Sequence, residues 1–272
     1  KKLLDGDTSA VDALKKDLAE LRNRKIHLLK SAGFPEDYLE PVYDCPDCKD
    51  TGYIGNKKCH CFKKAIIGLL YDQSNIKKFP VEADFSNFRL DYYPVSHYDK
   101  KTGRSSRSMM EDTLRICHHF IDSFGTEFNN LFFYGDVGVG KTFLSTCIAK
   151  EIMNREYSVL YFSAPQLFNT LAKNAFDKND IDAHNMCEYI FDCDLLIIDD
   201  LGTEYTNAFI ASQFFTCINE RLLHRKSTII STNLSLESLA DLYTERSFSR
   251  ITSRYSLLKI CLLYTSPSPR DA

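Results

Sequence analysis

The chain has 272 residues, 44% of them hydrophobic and 26% charged, which is the ordinary composition of a soluble globular protein. This length accommodates one sizeable α/β domain and a small accessory module. The net charge of -3 excludes a polycation, so any contact with nucleic acid must come from a local patch. No run approaches the roughly 18 apolar residues that cross a bilayer, and no signal peptide is recognisable. We therefore expect a cytoplasmic protein without membrane contact.

The first segment, residues 1–42, predicts an amphipathic helix. Apolar residues recur at three- and four-residue steps from Val11 to Leu29, with charged residues between them. Gly33 and Pro35 follow this run and are expected to end the helix. The apolar stripe suits a coiled-coil or partner-binding face, while packing within the chain is the simpler interpretation.

Residues 43–64 hold four of the ten cysteines and predict a small zinc-binding module. The spacing is C-x-x-C followed by C-x-C, at Cys45, Cys48, Cys59 and Cys61. Four thiolates at this spacing suit tetrahedral Zn²⁺ in a ribbon, and the metal would supply most of the folding free energy of so short a module. His60 can replace one sulfur. An iron–sulfur cluster and a redox-active pair are the less supported alternatives.

Residues 65–108 predict a helix over 65–71 and then a linker with an exposed loop. The linker interpretation rests on Pro80, Pro94, Gly103 and a basic, serine-rich run before residue 109. At the other end, residues 261–272 resemble a translated sequencing-adapter sequence. We expect this tail to be foreign to the fold.

Residues 109–260 alternate short apolar strands with helices, which predicts an α/β fold with a mostly parallel, doubly wound sheet. Strands are expected at residues 131–134, 159–162, 195–198, 228–231 and 256–260. Helices are expected at residues 113–124, 142–153, 165–173, 207–223 and 236–243, the last one capped by Ser235.

The loop after the first strand of this domain matches the phosphate-binding pattern G-x-x-x-x-G-K-[ST] completely. Its glycines let backbone N–H groups converge on phosphate oxygens at the start of a helix. Lys141 is expected to reach the β- and γ-phosphates of ATP, and the Thr142 hydroxyl to coordinate Mg²⁺. The predicted ATP-binding residues are Gly135, Asp136, Val137, Gly138, Val139, Gly140, Lys141 and Thr142.

Two carboxylates end the strand predicted at residues 195–198. The carboxyl ends of parallel strands face the ligand in open α/β sheets. Asp199 is therefore predicted to hold Mg²⁺ together with Thr142, and Asp200 to act as general base toward the attacking water. An apolar strand often ends in aspartate, so this signal depends on the phosphate-binding loop upstream.

Three polar residues farther along are candidates for the same site. Asn233 follows the strand at 228–231 and is placed to contact the γ-phosphate or the water, although a turn asparagine would look the same. Arg246 and Arg250 lie four residues apart, on one helical face. A solvated pair, or a salt bridge to Glu245, is the alternative.

These motifs together resemble the AAA+ ATPases, specifically the bacterial DnaC/DnaI-type helicase loaders and their relative IstB. The resemblance is carried by residues 135–142, 195–202 (LLIIDDLG), 229–234 (IISTNL) and 244–250 (TERSFSR), and extends to the cysteine module. It implies that the strand before Asn233 lies between the strands before Gly135 and Asp199. It also implies that Asn233 is a sensor. Arg250 would be an arginine finger for ATP bound by a neighbouring subunit, with Arg246 as its companion.

The resemblance further implies an ATP-dependent loader of a replicative DnaB-type helicase, which self-associates with ATP and contacts single-stranded DNA. Many AAA+ proteins have glutamate where Asp200 stands, so hydrolysis is expected to be slow. The cysteine module is expected to dock on the helicase rather than on DNA. The alternatives are an IstB-like helper of a DNA transposase, a small-molecule kinase, and a nucleotide-binding scaffold without turnover.

Overall fold

The computed structural model describes residues 9–62, 65, 83–99, 102–177 and 179–261. The chain divides into two compact units, residues 1–61 and 62–272. Apart from residue 65, the helix expected at 65–71 lies outside the described residues, as does the adapter-like tail from residue 262 onward. Among the described residues, no helix has the length and apolar character needed to cross a membrane.

The first unit contains one long helix and a small hairpin. Helix α1 (Ser9–Ser31) confirms the predicted amphipathic helix, and Gly33 follows it with a φ of 78°. Four leucines of its stripe are more than half exposed, whereas Leu29 is buried. The stripe leucines are Leu14, Leu18, Leu21 and Leu28. Strands β1 (Tyr53–Ile54) and β2 (Lys57–Lys58) pair antiparallel.

The second unit alternates strands and helices in the predicted order. Its strands are β3 (Leu131–Tyr134), β4 (Val159–Ser163), β5 (Leu195–Leu201), β6 (Ser227–Thr232) and β7 (Ser256–Lys259). Its helices are α2 (Ser106–Asp122), α3 (Lys141–Asn154), α4 (Ala164–Phe176), α5 (Ile181–Asp192), α6 (Ala208–Leu223), α7 (Leu236–Leu242) and α8 (Glu245–Arg254). All five predicted strands of this unit are confirmed.

Three helices differ from the prediction, and one of them is α8, which only the four-residue spacing of Arg246 and Arg250 indicated. Helix α2 begins at Ser106 rather than at residue 113, because the Ser105 side chain caps it by accepting a hydrogen bond from the Ser108 N–H. Helix α5 was not predicted at all. Its first turn is capped by Asp180, and it buries a face of Ala183, Met186, Cys187 and Ile190 at helical spacing. The polar run at residues 177–180 indicated a loop, so the helical spacing that follows it was not recognised.

The five strands of this unit form one parallel sheet in the order β4-β5-β6-β3-β7. Strand β6 therefore lies between β3 and β5, as the resemblance implied. Apolar side chains of the sheet enter two core clusters, which is expected of strands covered on both faces. Because the strands are parallel, the residues that follow β3, β5 and β6 meet at one edge of the sheet.

Residues 83–99, part of the segment predicted as a linker, pack on this domain. They form two 3₁₀ turns, Phe85–Asn87 and Leu90–Tyr92. The Tyr93 side chain is buried, its ring stacks on Phe88, and its hydroxyl donates a hydrogen bond of 2.9 Å to the carbonyl of Val139. This segment thus contacts the phosphate-binding loop directly.

Arg221 of α6 is fully buried and bonds to backbone rather than to a carboxylate. Its guanidinium donates to the carbonyls of Ile190 (2.7 Å), Cys193 (3.1 Å) and Ser227 (2.6 Å). The first two belong to the end of α5, where carbonyls have no partner within the helix and carry partial negative charge. Arg221 therefore joins the end of α5 to the start of β6.

We predict that Arg221→Met lowers the free energy of unfolding by about 3 kcal/mol, because buried carbonyls lose their donors. Denaturation in urea measures this change. Arg115→Met, which removes an exposed arginine of α2, is the matched control and should leave the midpoint nearly unchanged. Equal midpoints for both variants would contradict the role given to Arg221.

Candidate functional site

The phosphate-binding loop joins β3 to α3 and adopts a backbone that requires glycine at two positions. Gly135 has a φ of 143°, and a Cβ there would lie 2.1 Å from the carbonyl oxygen of Ile260. Gly140, the residue before α3, has a φ of 98°, and a Cβ there would lie 2.7 Å from the Tyr93 hydroxyl. Both positions combine left-handed backbone with close neighbours. The loop is therefore held tightly from two sides.

Lys141 lies inside this loop. Its side chain is almost completely buried, and its Nζ donates to the carbonyls of Gly135 (2.8 Å) and Asp136 (2.6 Å). Burial lowers the pKa of Lys141, while Asp200 and Asp199 act in the opposite direction. An ammonium group held by the carbonyls of a glycine-rich loop at the start of a helix can bind the phosphates of a nucleotide.

The predicted partners Thr142 and Asp199 are brought together. The Thr142 hydroxyl donates to the Asp199 carboxylate at 3.0 Å, although the two residues lie in α3 and β5. Tyr161 of β4 donates to the same carboxylate at 2.7 Å, and Ser231 of β6 donates to it as well. Burial, together with the Asp199 charge, raises the pKa of Tyr161. A hydroxyl and a carboxylate that converge beside a phosphate-binding loop match the oxygen ligands that Mg²⁺ prefers.

Sequence reasoning missed Tyr161 and Ser231. Tyr161 lies within an apolar strand, so the sequence suggests a core residue. Ser231 precedes Asn233 by two residues, and attention falls on the asparagine. The strand order would have identified both residues, because β4 and β6 are the two strands that pair with β5. A polar residue on a strand beside one that ends in aspartate is a candidate support for that aspartate.

Asp200 has an unusual backbone for a non-glycine residue, with a φ of 55°. Strand β5 extends through both aspartates, which the sequence places at its carboxyl end, with an irregularity in its pairing to β6 after Ile198. The Asp200 N–H donates to the Ser231 hydroxyl at 2.9 Å. Burial and the neighbouring Asp199 raise the pKa of Asp200, and Lys141 partly offsets this. A carboxylate with a raised pKa is a better proton acceptor.

Asn233 follows β6 and lines a cavity of about 400 Å³ together with Gly135 and Asp136. The structure thus brings Asn233 to the phosphate-binding loop. Arg246 and Arg250, both exposed on α8, are not among the residues that line this cavity. Over the described ranges, neither arginine forms an ion pair, so the alternative of a bridge to Glu245 is not observed.

The four clustered cysteines of the first unit converge. Their sulfur atoms all lie within 4.8 Å of one another, and three of the four side chains are buried. These residues are Cys45, Cys48, Cys59 and Cys61. Asp50, with a φ of 61°, accepts hydrogen bonds from the N–H groups of Asp44 and Cys45 and closes the turn around the first pair. His60 lies beside the cluster but is mostly exposed. Four soft sulfur donors at this separation fit a tetrahedral zinc ion.

We predict that Lys141→Ala weakens ATP binding by at least about 100-fold, because it removes the cation at the β- and γ-phosphates. Calorimetry with and without Mg²⁺ measures the affinity. The control is Lys150→Ala, on the same helix as Lys141, which should bind ATP normally. Unchanged affinity in Lys141→Ala would contradict the assignment of this loop as the nucleotide site.

Several known proteins are similar to this chain. The family model described as IstB-like ATP binding protein matches residues 73–251. The phage-like element PBSX protein XkdC of Bacillus subtilis (strain 168) is 27% identical over 236 residues, 82% of this chain and 83% of that protein. The replicative helicase loader DnaI of the same strain is 29% identical over 115 residues, 42% of this chain and 36% of DnaI. The replicative helicase loader DnaC of Escherichia coli (strain K12) is 23% identical over 187 residues, 69% of this chain and 70% of DnaC.

Solved structures show the same architecture. A crystal structure of the DnaC helicase loader superposes with a TM-score of 0.51 and 26% identity, covering 64% of this chain and 97% of that chain. A crystal structure of DnaI superposes with a TM-score of 0.53 and 24% identity, covering 67% of this chain and 95% of that chain. The fold is therefore that of the AAA+ neighbours. Since the family model spans well over half of the residues, the chain belongs to the IstB-like ATP-binding protein family.

Proposed function

We propose that this chain is an ATP-dependent loader of a replicative DnaB-type DNA helicase, acting when replication is initiated or restarted. The observation that carries the proposal is its similarity to DnaI and DnaC, two replicative helicase loaders. The closely held glycine loop, the Thr142–Asp199 pair and the nearby Asn233 support ATP as the ligand. Contact with single-stranded DNA is part of the proposal.

Each residue of the site has a separate task in this proposal. The backbone of residues 135–142 and Lys141 hold the phosphates, while Thr142 and Asp199 hold Mg²⁺, which neutralises phosphate charge when bound. Asp200 accepts the proton of the attacking water, and Asn233 orients that water or the γ-phosphate. The short side chain of Asp200 favours slow turnover, as expected of a switch that partners stimulate.

The test of the proposed function is capture of the host's replicative helicase by the immobilised chain. We expect ATP to increase capture of the helicase by the unchanged chain. Lys141→Ala should not show this increase, because it binds ATP much more weakly. The second candidate is an IstB-like helper of a DNA transposase, so a transposase is tested as an alternative binding partner in the same assay. Capture of the transposase without capture of the helicase would replace the loader proposal.

We further propose that the four cysteines bind one Zn²⁺ and that the module docks on the helicase. Three of the four side chains are buried, although the module has little other apolar core, so a metal is needed to stabilise it. The cluster accommodates four sulfur ligands without His60, whose ring is near Asp47.

We predict one zinc per chain, lost in Cys48→Ser. Hydrogen exchange in Cys48→Ser should rise sharply over residues 43–62, while the second unit keeps its protection, because the metal supplies most of the stability of the module. His60→Ala is the matched control and should retain zinc. Elemental analysis that finds no zinc, or iron together with sulfide, would refute the assignment.

Arg250 is proposed to act on ATP bound by a neighbouring copy. Helix α8 begins at a Thr244 cap, and Arg250 is exposed on it and forms no ion pair in the described part of the chain. A free guanidinium on the surface is available to a second subunit, where it can stabilise charge that develops on the γ-phosphate. Arg246, also exposed, is its companion.

We predict that Arg250→Ala binds ATP nearly normally but hydrolyses it at least about 10-fold more slowly, because the guanidinium acts in the transition state. Mixing Arg250→Ala with Lys141→Ala should restore turnover, since each mixed interface combines one intact loop with one intact arginine. Recovery must increase with protein concentration. The mixture is tested under conditions where helicase or single-stranded DNA stimulates the unchanged chain. If turnover does not recover there, Arg250 acts on ATP bound by its own subunit or has only a structural role.

A further inference from the structure

The loop between β5 and α6 is organised by a single carboxylate. Glu204 accepts hydrogen bonds from the N–H of Gly202 at 3.0 Å and from the hydroxyl of Thr206 at 3.2 Å. It also accepts a hydrogen bond from the hydroxyl of Tyr243, 39 residues farther along the chain. The first two contacts fold the loop on itself, and the third ties it to the junction between α7 and α8.

On the β5 side, the loop is continuous with the proposed catalytic carboxylate. The Asp200 carbonyl accepts from the Thr203 hydroxyl at 2.8 Å, which links the loop to the end of the strand. Gly202 has a φ of 98°, and a Cβ there would lie 2.5 Å from Leu234. This end is also held independently of Glu204, because the Thr232 hydroxyl donates to the Leu201 carbonyl at 2.6 Å.

On the α8 side, Tyr243 directly precedes Thr244, the residue that caps the arginine-bearing helix α8. Its side chain is buried, and its ring lies 4.8 Å from that of Phe214. Its N–H donates to Leu239 and ends α7, and the next residue, Thr244, caps α8 by accepting from the Ser247 N–H. The buried Tyr243 ring therefore lies directly before the residue that caps α8.

We propose that Glu204 is a positioning residue that holds the arginine-bearing helix in a fixed relation to the carboxylate end of β5. A hydrogen bond to a carboxylate is roughly twice as strong as one between neutral groups, and here one carboxylate serves both elements. Within one subunit, Glu204 thus connects the half-site that binds ATP to the helix that presents Arg250 to the next copy. The inference rests on the proposed action of Arg250 on a neighbour's ATP.

Mixed assemblies of the full chain test this role. In the mixture of Lys141→Ala and Arg250→Ala, the first variant donates the arginine and the second binds ATP. Glu204→Ala is added to the donor in one mixture and to the ATP-binding copy in another. We expect about a 10-fold loss of turnover when the donor carries Glu204→Ala, because a misplaced catalytic group loses rate steeply. The loss should be smaller in the other mixture, where Ser231 and Thr232 still hold the end of β5.

Two conservative variants separate positioning from general folding. Tyr243→Phe in the donor removes only the hydroxyl and should reproduce the loss, while ATP affinity of the partner copy stays unchanged. Glu204→Gln keeps an acceptor for Tyr243 and should recover part of the turnover. Glu188→Ala, an exposed glutamate of α5, is the matched control in the donor and should have no effect.

The outcomes are distinguishable. If the parent mixture shows no complementation, the action of Arg250 on a neighbour is refuted and this inference falls with it. If the parent mixture complements but Glu204→Ala in the donor behaves like Glu188→Ala, the positioning role alone is overturned. An equal loss in both mixtures, accompanied by a lowered unfolding temperature, also overturns it, since Glu204 would then support the fold in general.

Discussion

The carboxylate of Asp199 is buried at the end of β5, and the arrangement of the nucleotide site depends on how that charge is satisfied. An unpaired buried carboxylate is costly, so it requires hydrogen-bond donors from its surroundings. Hydroxyls from three elements supply them: Thr142 from α3, Tyr161 from β4 and Ser231 from β6. The same contacts bring the phosphate-binding helix and two neighbouring strands to the place where a divalent cation can bind. The contacts that satisfy the buried Asp199 carboxylate are therefore the same contacts that assemble the site.

Around this centre, two connections at the carboxyl edge of the sheet, β3 to α3 and β5 to α6, are restrained by contacts from distant parts of the chain. Tyr93 bonds to Val139 in the phosphate-binding loop, and the Ile260 carbonyl excludes a side chain at Gly135. Glu204 bonds to Tyr243 in the same way. Such restraints keep irregular backbone in place, which preorganises a site for charge that appears only during reaction. In our proposal, the Glu204 contact also connects the end of β5 to the helix that carries Arg250.

For the first unit we propose a different source of stability. It offers a long helix, with leucines exposed along one face, and a short hairpin whose buried side chains are mainly cysteines. Burial of so few apolar groups contributes little to stability, so the four sulfurs are better explained as metal ligands than as a hydrophobic core. The second unit packs a parallel sheet, and we propose that a metal ion stabilises the cysteine module of the first.

The sequence by itself determined the features that are local. The glycine loop, the five strands of the α/β unit, the cysteine pairs and the Ser235 helix cap each depend on neighbouring residues, so the sequence alone predicted them. The place of β6 between β3 and β5 came from the resemblance rather than from any pattern. Tertiary structure alone decided that Tyr161 and Ser231 support Asp199, that residues 83–99 pack on the loop, and that Glu204 meets Tyr243. These contacts join residues far apart in the chain, and they depend on strand order and register, which no local periodicity encodes.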